Sequence, residues 1–280
     1  MKHIGSPANP LYRSWLKLAR SSRERRKQGL ALIDGVHLLD AYLAHGGKPE
    51  HVLIAESSQS RQEIAALVRR LPAPAVILAD ALFGSLTELE SPSGILATIG
   101  IPGPQAPVAP GCWMLLEDIQ DPGNLGSILR SAAAAGASGA WLSKGCADAW
   151  SPKVLRAAMG AHFSLRVHER ADLANAALRC SGQVIALTSE GIRSIFELDL
   201  TGPVALALGN EGAGLSAHLR EAATDCAAIP MPGRTESLNV AAAAAICLFE
   251  RVRQIAAGAR QATRRSQALD VEQVLTPKSV

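Results

Sequence analysis

Long apolar runs are missing from this 280-residue chain. The longest, VAAAAAICLF at 240–249, falls far short of the ~20 residues a helix needs to cross a bilayer, so no membrane span is expected. The N-terminus is polar and basic and lacks the apolar centre of a secretion signal. Cysteine is sparse: Cys112, Cys146, Cys180, Cys226 and Cys247 are scattered, with no CxxC and no Cys/His cluster at metal-ligand spacing. That pattern predicts no metal centre and reduced thiols in a cytoplasmic protein, several of them buried as small hydrophobes. No GKS/T follows a glycine-rich turn, which excludes a phosphate loop. No acidic residue stands about 20 positions after a GxGxxG, which argues against a nicotinamide cofactor. Internal repeats are absent as well.

What is present is an ordinary globular composition, 48% hydrophobic and 19% charged, at a length that fits about two domains. The net charge of +3 is unevenly placed. Residues 1–30 carry +7, residues 251–280 carry +4, and the stretch between them carries −8. Basic ends around an acidic body predict a polyanionic partner met at particular surfaces.

Periodicity places a basic amphipathic helix at 10–28, with Leu11, Trp15 and Leu18 on its apolar side. Short strands at 31–34, 51–56, 75–79 and 94–100 then alternate with helices, the pattern of a compact α/β unit. This unit, with the N-terminal helix, spans residues 1–99. Residues 100–111 hold four prolines and three glycines and read as a stiff exposed linker. A second α/β unit covers 112–258, with strands expected at 112–117, 139–143, 163–168, 183–188, 203–208 and 226–230 and a long Ala-rich helix over 238–257. Residues 259–280, rich in Arg, Gln and Ser, read as a flexible tail.

Three segments of the second unit share one grammar of apolar strand, Gly/Pro/Asn turn and helix start: LLEDIQDPGNLGSILRSAAAAGA (115–137), ALALGNEGAGLS (205–216) and IPMPGRTESLNVAAAAAICLFE (229–250). Ligands of open α/β sheets bind beyond the carboxyl ends of the strands, so three such turns predict one composite small-molecule pocket. Asn124 suits a helix N-cap in the first, and Ser237 can cap the helix expected from Leu238 in the third. The glycines of the second, Gly209 onward, allow backbone to approach a ligand closely.

In order and spacing these segments resemble the SpoU (TrmH-like) branch of the SPOUT RNA methyltransferases, and the resemblance extends over nearly the whole chain. It implies a SPOUT α/β domain with a deep trefoil knot threaded by residues 208–257, preceded by a ribosomal-protein-like α/β/α domain that binds RNA. It implies S-adenosyl-L-methionine as cofactor and a ribose 2′-hydroxyl of RNA as acceptor, ribosomal RNA in particular, in a homodimer. By the same resemblance Asn124, Arg130, Glu211, Ser237 and Asn239 form the reaction centre. Thr188, Leu208, Gly209, Ile229, Met231, Ser237 and Leu238 line the cofactor pocket. Lys17, Arg20, Arg23, Arg25, Arg26, Lys153 and Arg156 are the candidate RNA contacts. The alternatives are a transfer-RNA 2′-O-methyltransferase and a non-catalytic RNA-binding protein that kept the fold.

Overall fold

The structure is a computed structural model that describes residues 2–71, 74–89, 91–103 and 110–275, with side chains through residue 260. Its first unit runs β1 (Lys2–Ile4), α1 (Pro10–Arg20), α2 (Ser22–Gln28), β2 (Leu30–Asp34), α3 (Val36–Ala44), β3 (His51–Ala55), α4 (Gln62–Val68), β4 (Val76–Leu78), α5 (Asp80–Gly84) and β5 (Ile95–Gly100). The sheet order is β1-β4-β3-β5-β2, with β5 antiparallel to both neighbours. Alternate residues of each strand point to opposite faces. Ala31 and Ile33 therefore enter one core with Leu38 and Ile64, while Leu32 enters the other with Trp15, Leu18 and Phe83. Helices on both faces make this a three-layer α/β/α unit.

Two features depart from the sequence reading. The single helix expected at 10–28 is broken at Ser21, whose backbone is extended and whose hydroxyl accepts from the Glu24 amide, so that it caps α2. β1 was not expected. It has one apolar residue in three and pairs at the sheet edge, with Lys2 opposite Val76 and Ile4 opposite Leu78.

The second unit runs β6 (Cys112–Leu116), α6 (Pro122–Ala134), β7 (Gly139–Leu142), α7 (Pro152–Ala158), β8 (Arg166–His168), α8 (Leu173–Leu178), β9 (Gln183–Leu187), β10 (Arg193–Ser194), β11 (Val204–Leu208), α9 (Ala217–Glu221), β12 (Asp225–Ala228) and α10 (Val240–Leu275). All seven strands are parallel in the order β10-β12-β9-β11-β6-β7-β8. β6 and β11 are buried along their whole length, as central parallel strands covered on both faces must be. Cys112, Met114 and Leu116 face α6 and α7, and Trp113 and Leu115 face α8 and α9. Burial pushes the thiol of Cys112 up to about 11 and that of Cys247 to about 12, so both behave as apolar side chains. Strand ends fall within a few residues of expectation, although β8 begins at Arg166 because 161–163 form a turn of 3-10 helix. Where a flexible tail was expected from 259, backbone of α10 continues as helix to Leu275. Most of the expected linker, 104–109, lies outside the described residues. No helix among the described residues is long and apolar enough to cross a membrane.

One continuous apolar core joins the two units: Ile33, Ile54 and Ile99 belong to the same cluster as Met114, Leu125 and Leu155. A buried ion pair reinforces it. Arg25 is only 5% exposed; its guanidinium binds the Asp148 carboxylate and donates to the carbonyls of Leu18 (2.6 Å) and Ala19 (3.3 Å). Those carbonyls lie in the last turn of α1, where intrahelical partners run out. Arg25 is thus a structural clamp, which corrects its assignment as an RNA contact. Removing one partner of such a buried pair typically costs about 3–5 kcal/mol.

Beside this seam His162 is fully enclosed, and burial lowers its pKa to about 4 against weaker opposite pulls from its hydrogen bond to the Ala149 carbonyl and from the Asp148 charge. Its Nε2 lies 2.8 Å from the Ala149 carbonyl, so Nε2 carries the proton and donates. Nδ1 is buried with no hydrogen-bond partner among the described residues. Because the unfolded chain binds the proton near pH 6.5 and the folded chain only near 4, stability is full above pH 6.5 and falls as pH drops from 6.5 toward 4. At 1.36 kcal/mol per unit the loss approaches about 3 kcal/mol. Urea unfolding of wild type and His162→Gln between pH 7.5 and 4.5 checks this. Glutamine keeps the donor and cannot titrate, so the variant should lose distinctly less stability on acidification; parallel profiles would contradict the assignment.

Candidate active site

β12, β9, β11 and β6 are neighbours in the sheet and run parallel, so their carboxyl ends open onto one edge. The loops that leave them carry the three sequence motifs. A cavity of about 430 Å³ lies there, and Thr188, Leu208, Gly209, Ile229, Met231, Ser237 and Leu238 all line it, together with Glu211 and Asn210. Every residue expected around a cofactor therefore faces one cavity, at a size usual for small-molecule sites.

The loops are tied to each other by polar side chains. Asn124 donates from Nδ2 to Glu211 Oε1 at 2.5 Å, and its Oδ1 accepts from Asn239 Nδ2 at 2.9 Å. One amide thus joins all three motifs. Asn124 is not the cap of α6: Asp121 is, and accepts from the Asn124 amide at 2.7 Å. Asn124 sits two positions inside the helix, where its side chain is free for this bridge. Likewise α10 starts at Val240, two residues later than expected, because Asn239 rather than Ser237 caps it. Asn239 Oδ1 accepts from the amides of Ala241 and Ala242. Ser237 is left exposed at the cavity.

Five site residues were not singled out from sequence. Glu117 accepts from both the amide and the hydroxyl of Ser216, each at 2.7 Å, and so closes the glycine loop back onto the end of β6. Asn210 donates to the Asp118 carbonyl (3.1 Å) and accepts from the Gly212 and Ala213 amides. Asp118 adopts φ 54°, a costly backbone for a residue with a Cβ, and its amide and carboxylate are both held by the Ser143 hydroxyl. The signal was present as polar residues next to motif glycines, but their partners lie 25 to 99 residues away in sequence. The segment Met231–Leu238 makes no hydrogen bond with the rest of the chain among the described residues, so its backbone groups at the cavity are open to a ligand.

Arg130 is not brought to this cluster. It lies six residues beyond Asn124 on α6, about 9 Å further along the axis and about 120° around it. It is exposed and has no hydrogen-bond or ion-pair partner among the described residues. Of the candidate RNA contacts, Lys17, Arg20, Arg23 and Arg26 are exposed on α1 and α2. Lys153 pairs with Glu88 across the two units at 3.2 Å, with both side chains more than half exposed, an arrangement worth little in water. Arg156 is half-buried.

The sequence pattern of the SpoU rRNA Methylase family matches residues 112–249, and that of the MRM3-like substrate binding domain matches residues 9–97. The 23S rRNA (guanosine(2553)-2′-O)-methyltransferase RlmP of Bacillus subtilis is 32% identical, over 89% of this chain and 98% of its own. The chain belongs to the SpoU rRNA methylase family. The 23S rRNA (uridine(2479)-2′-O)-methyltransferase of Streptomyces viridochromogenes is 31% identical, over 89% of this chain and 92% of that protein. Among solved structures, the SpoU methyltransferase AviRb of that organism in complex with AdoMet has a TM-score of 0.80, with 30% identity, covering 88% of this chain and 98% of that one. An AdoMet-bound rRNA methyltransferase of Sinorhizobium meliloti has a TM-score of 0.77 at 29% identity, with coverage of 91% and 98%.

In this SpoU-family chain the glycine loop has no slack at Gly209. A Cβ on Gly209 would lie 2.2 Å from the Gly214 carbonyl oxygen and 2.5 Å from the Leu215 nitrogen, both backbone atoms. Gly209→Ala should therefore open the loop, raising amide hydrogen exchange across 209–216 at least tenfold while β6 and β7 keep their protection. Unchanged exchange there would show that the loop has room the geometry denies it.

Proposed function

We propose that this protein transfers a methyl group from S-adenosyl-L-methionine to a ribose 2′-hydroxyl of ribosomal RNA. The observation that carries the reading is the single cavity that gathers the cofactor residues of all three motifs, with Asn124, Glu211 and Asn239 hydrogen-bonded at its rim. It is supported by two 23S rRNA 2′-O-methyltransferases that align over nearly their full lengths. The extra N-terminal unit favours ribosomal over transfer RNA.

The cavity fits the cofactor. It offers apolar walls at Leu208, Ile229 and Met231, hydroxyls at Thr188 and Ser237, and the unbonded backbone around Leu238 for a nucleoside. When bound, S-adenosyl-L-methionine supplies a methyl group already activated on a sulfonium. The protein's own work is to bind, orient and exclude water. Gly209 and Leu238 give backbone approach, Ser237 and Asn239 stand at the donor end, and the Asn124 bridge holds Glu211 against both. Arg130 grips the RNA phosphate or stabilises the oxygen as its proton leaves. A guanidinium stays protonated in proteins, so this role suits it better than that of a base.

The same reading takes the chain from 208 to 257 through a trefoil knot, with α10 returning to pack against α6. It also pairs two copies into a homodimer, for which Phe249 and Ile255 on α10 and Phe196 nearby offer exposed apolar surface. Lys17, Arg20, Arg23 and Arg26 then face the RNA. Five free cysteines suit a protein working in the cytoplasm.

The test is transfer of labelled methyl from S-adenosyl-L-methionine to total RNA lacking native modification. Label should enter large-subunit RNA at one site that becomes resistant to alkaline cleavage. Arg130→Ala should lower the rate at least a hundredfold with cofactor affinity unchanged. Label in transfer RNA would move the substrate; no label with no cofactor binding would overturn the reading in favour of a non-catalytic RNA-binding protein.

A further inference from the structure

A second cavity, of about 370 Å³, lies on the seam between the two units, and neither the motifs nor the reaction uses it. One wall comes from the end of α3 and the end of β5 (Tyr42, His45, Gly100), the other from the segment between α7 and β8 (His162, Phe163, Arg166). Tyr42, His45, Trp150, His162 and Phe163 bring aromatic rings to the cavity. The rings of Tyr42 and Phe163 lie 5.1 Å apart, that of His45 lies 6.1 Å from Phe163, and Trp150 and His162 meet at 4.9 Å.

Arg166 is an exposed cation at the cavity with no ion-pair partner among the described residues. Stacking surface and an unpaired cation together match one chemical unit: a planar base joined to a phosphate. Single-stranded bases stack on such aromatic side chains, and Arg takes the adjoining phosphate.

We propose that this interdomain cleft binds one unstacked nucleotide of the RNA, at a subsite separate from the methyl acceptor. Arg166 opens β8 and pairs opposite Gly139, at the amino end of the sheet. The cofactor cavity lies at the carboxyl ends, and the five residues of β6 alone span about 16 Å between the two edges. The nucleotide held here is therefore not the one methylated. Because both units wall the cleft, an RNA that fills it reports that they are docked together. The inference rests on the RNA methylation reading, and the same chemistry would admit a free mononucleotide.

Arg166→Ala and His45→Ala, both at exposed residues, test it in the full-length protein alongside wild type. For RNA methylation, Arg166→Ala should raise KM at least fivefold with kcat and S-adenosyl-L-methionine affinity unchanged. Photo-crosslinking of RNA carrying 4-thiouridine to the wild-type protein should label a peptide within 42–47 or 150–166, and this crosslink should weaken in both variants. Titration with adenosine and guanosine monophosphates separates the sources. RNA that competes with them points to a nucleotide within the chain, as expected; mononucleotides that bind there without RNA competition overturn the RNA assignment. Wild-type methylation with unaltered KM in Arg166→Ala, and no crosslink at the cleft, would overturn the subsite while leaving the methylation reading intact. Absence of methylation in wild type itself would instead remove the reading beneath it.

Discussion

The side-chain amide of Asn124 is the point on which the rest of the site depends. An amide can donate and accept at once, and here it does both, giving its N–H to Glu211 and receiving that of Asn239. The three loops leave different strands, and Asn124 lies 87 and 115 residues from its two partners. No local force would hold them in register. A carboxylate in place of Asn124 would lack the donor and would face Glu211 with like charge. The bridge therefore specifies an amide, and through it the relative placement of Ser237, Gly209 and the head of α6.

That bridge works because its supports are stiff. β6 and β11 are wholly buried and in register, Glu117 locks the glycine loop to the strand beside it, and Asn210 pins that loop to the strained turn at Asp118. Binding groups placed on loops but positioned by a rigid sheet are the usual arrangement of open α/β sites. The first unit is fixed to this scaffold by a shared apolar core and by Arg25, whose charge is spent on Asp148 and on the last turn of α1. The basic surface left for RNA is thus smaller than the +7 of the first thirty residues implies.

Much of this was legible in the sequence. Continuous apolar runs such as VALAL announced buried parallel strands, and the glycine and proline turns after them announced the pocket, because both signals are local. The seven positions expected around a cofactor all reach one cavity for that reason. Caps were misread by two or three residues. Asp121 and Ser237 are as good caps as Asn124 and Asn239 on local grounds, and which one is used depends on contacts made elsewhere. The closure by Glu117 and the loss of Arg25 to the interior were invisible for the same cause: each is decided by a partner distant in sequence. The buried state of His162 belongs to this class too, since nothing in AHFS marks a histidine that the seam between two units encloses.

The most direct measurement is a double-mutant cycle on methyl transfer with Asn124→Ala, Asn239→Ala and the combined variant. If Asn124 joins the loops through this bond, either single change already disconnects the site, so the double variant should fall within about twofold of the slower single. Losses that multiply would show two independent contributions and would contradict the shared bridge on which this account of the site stands.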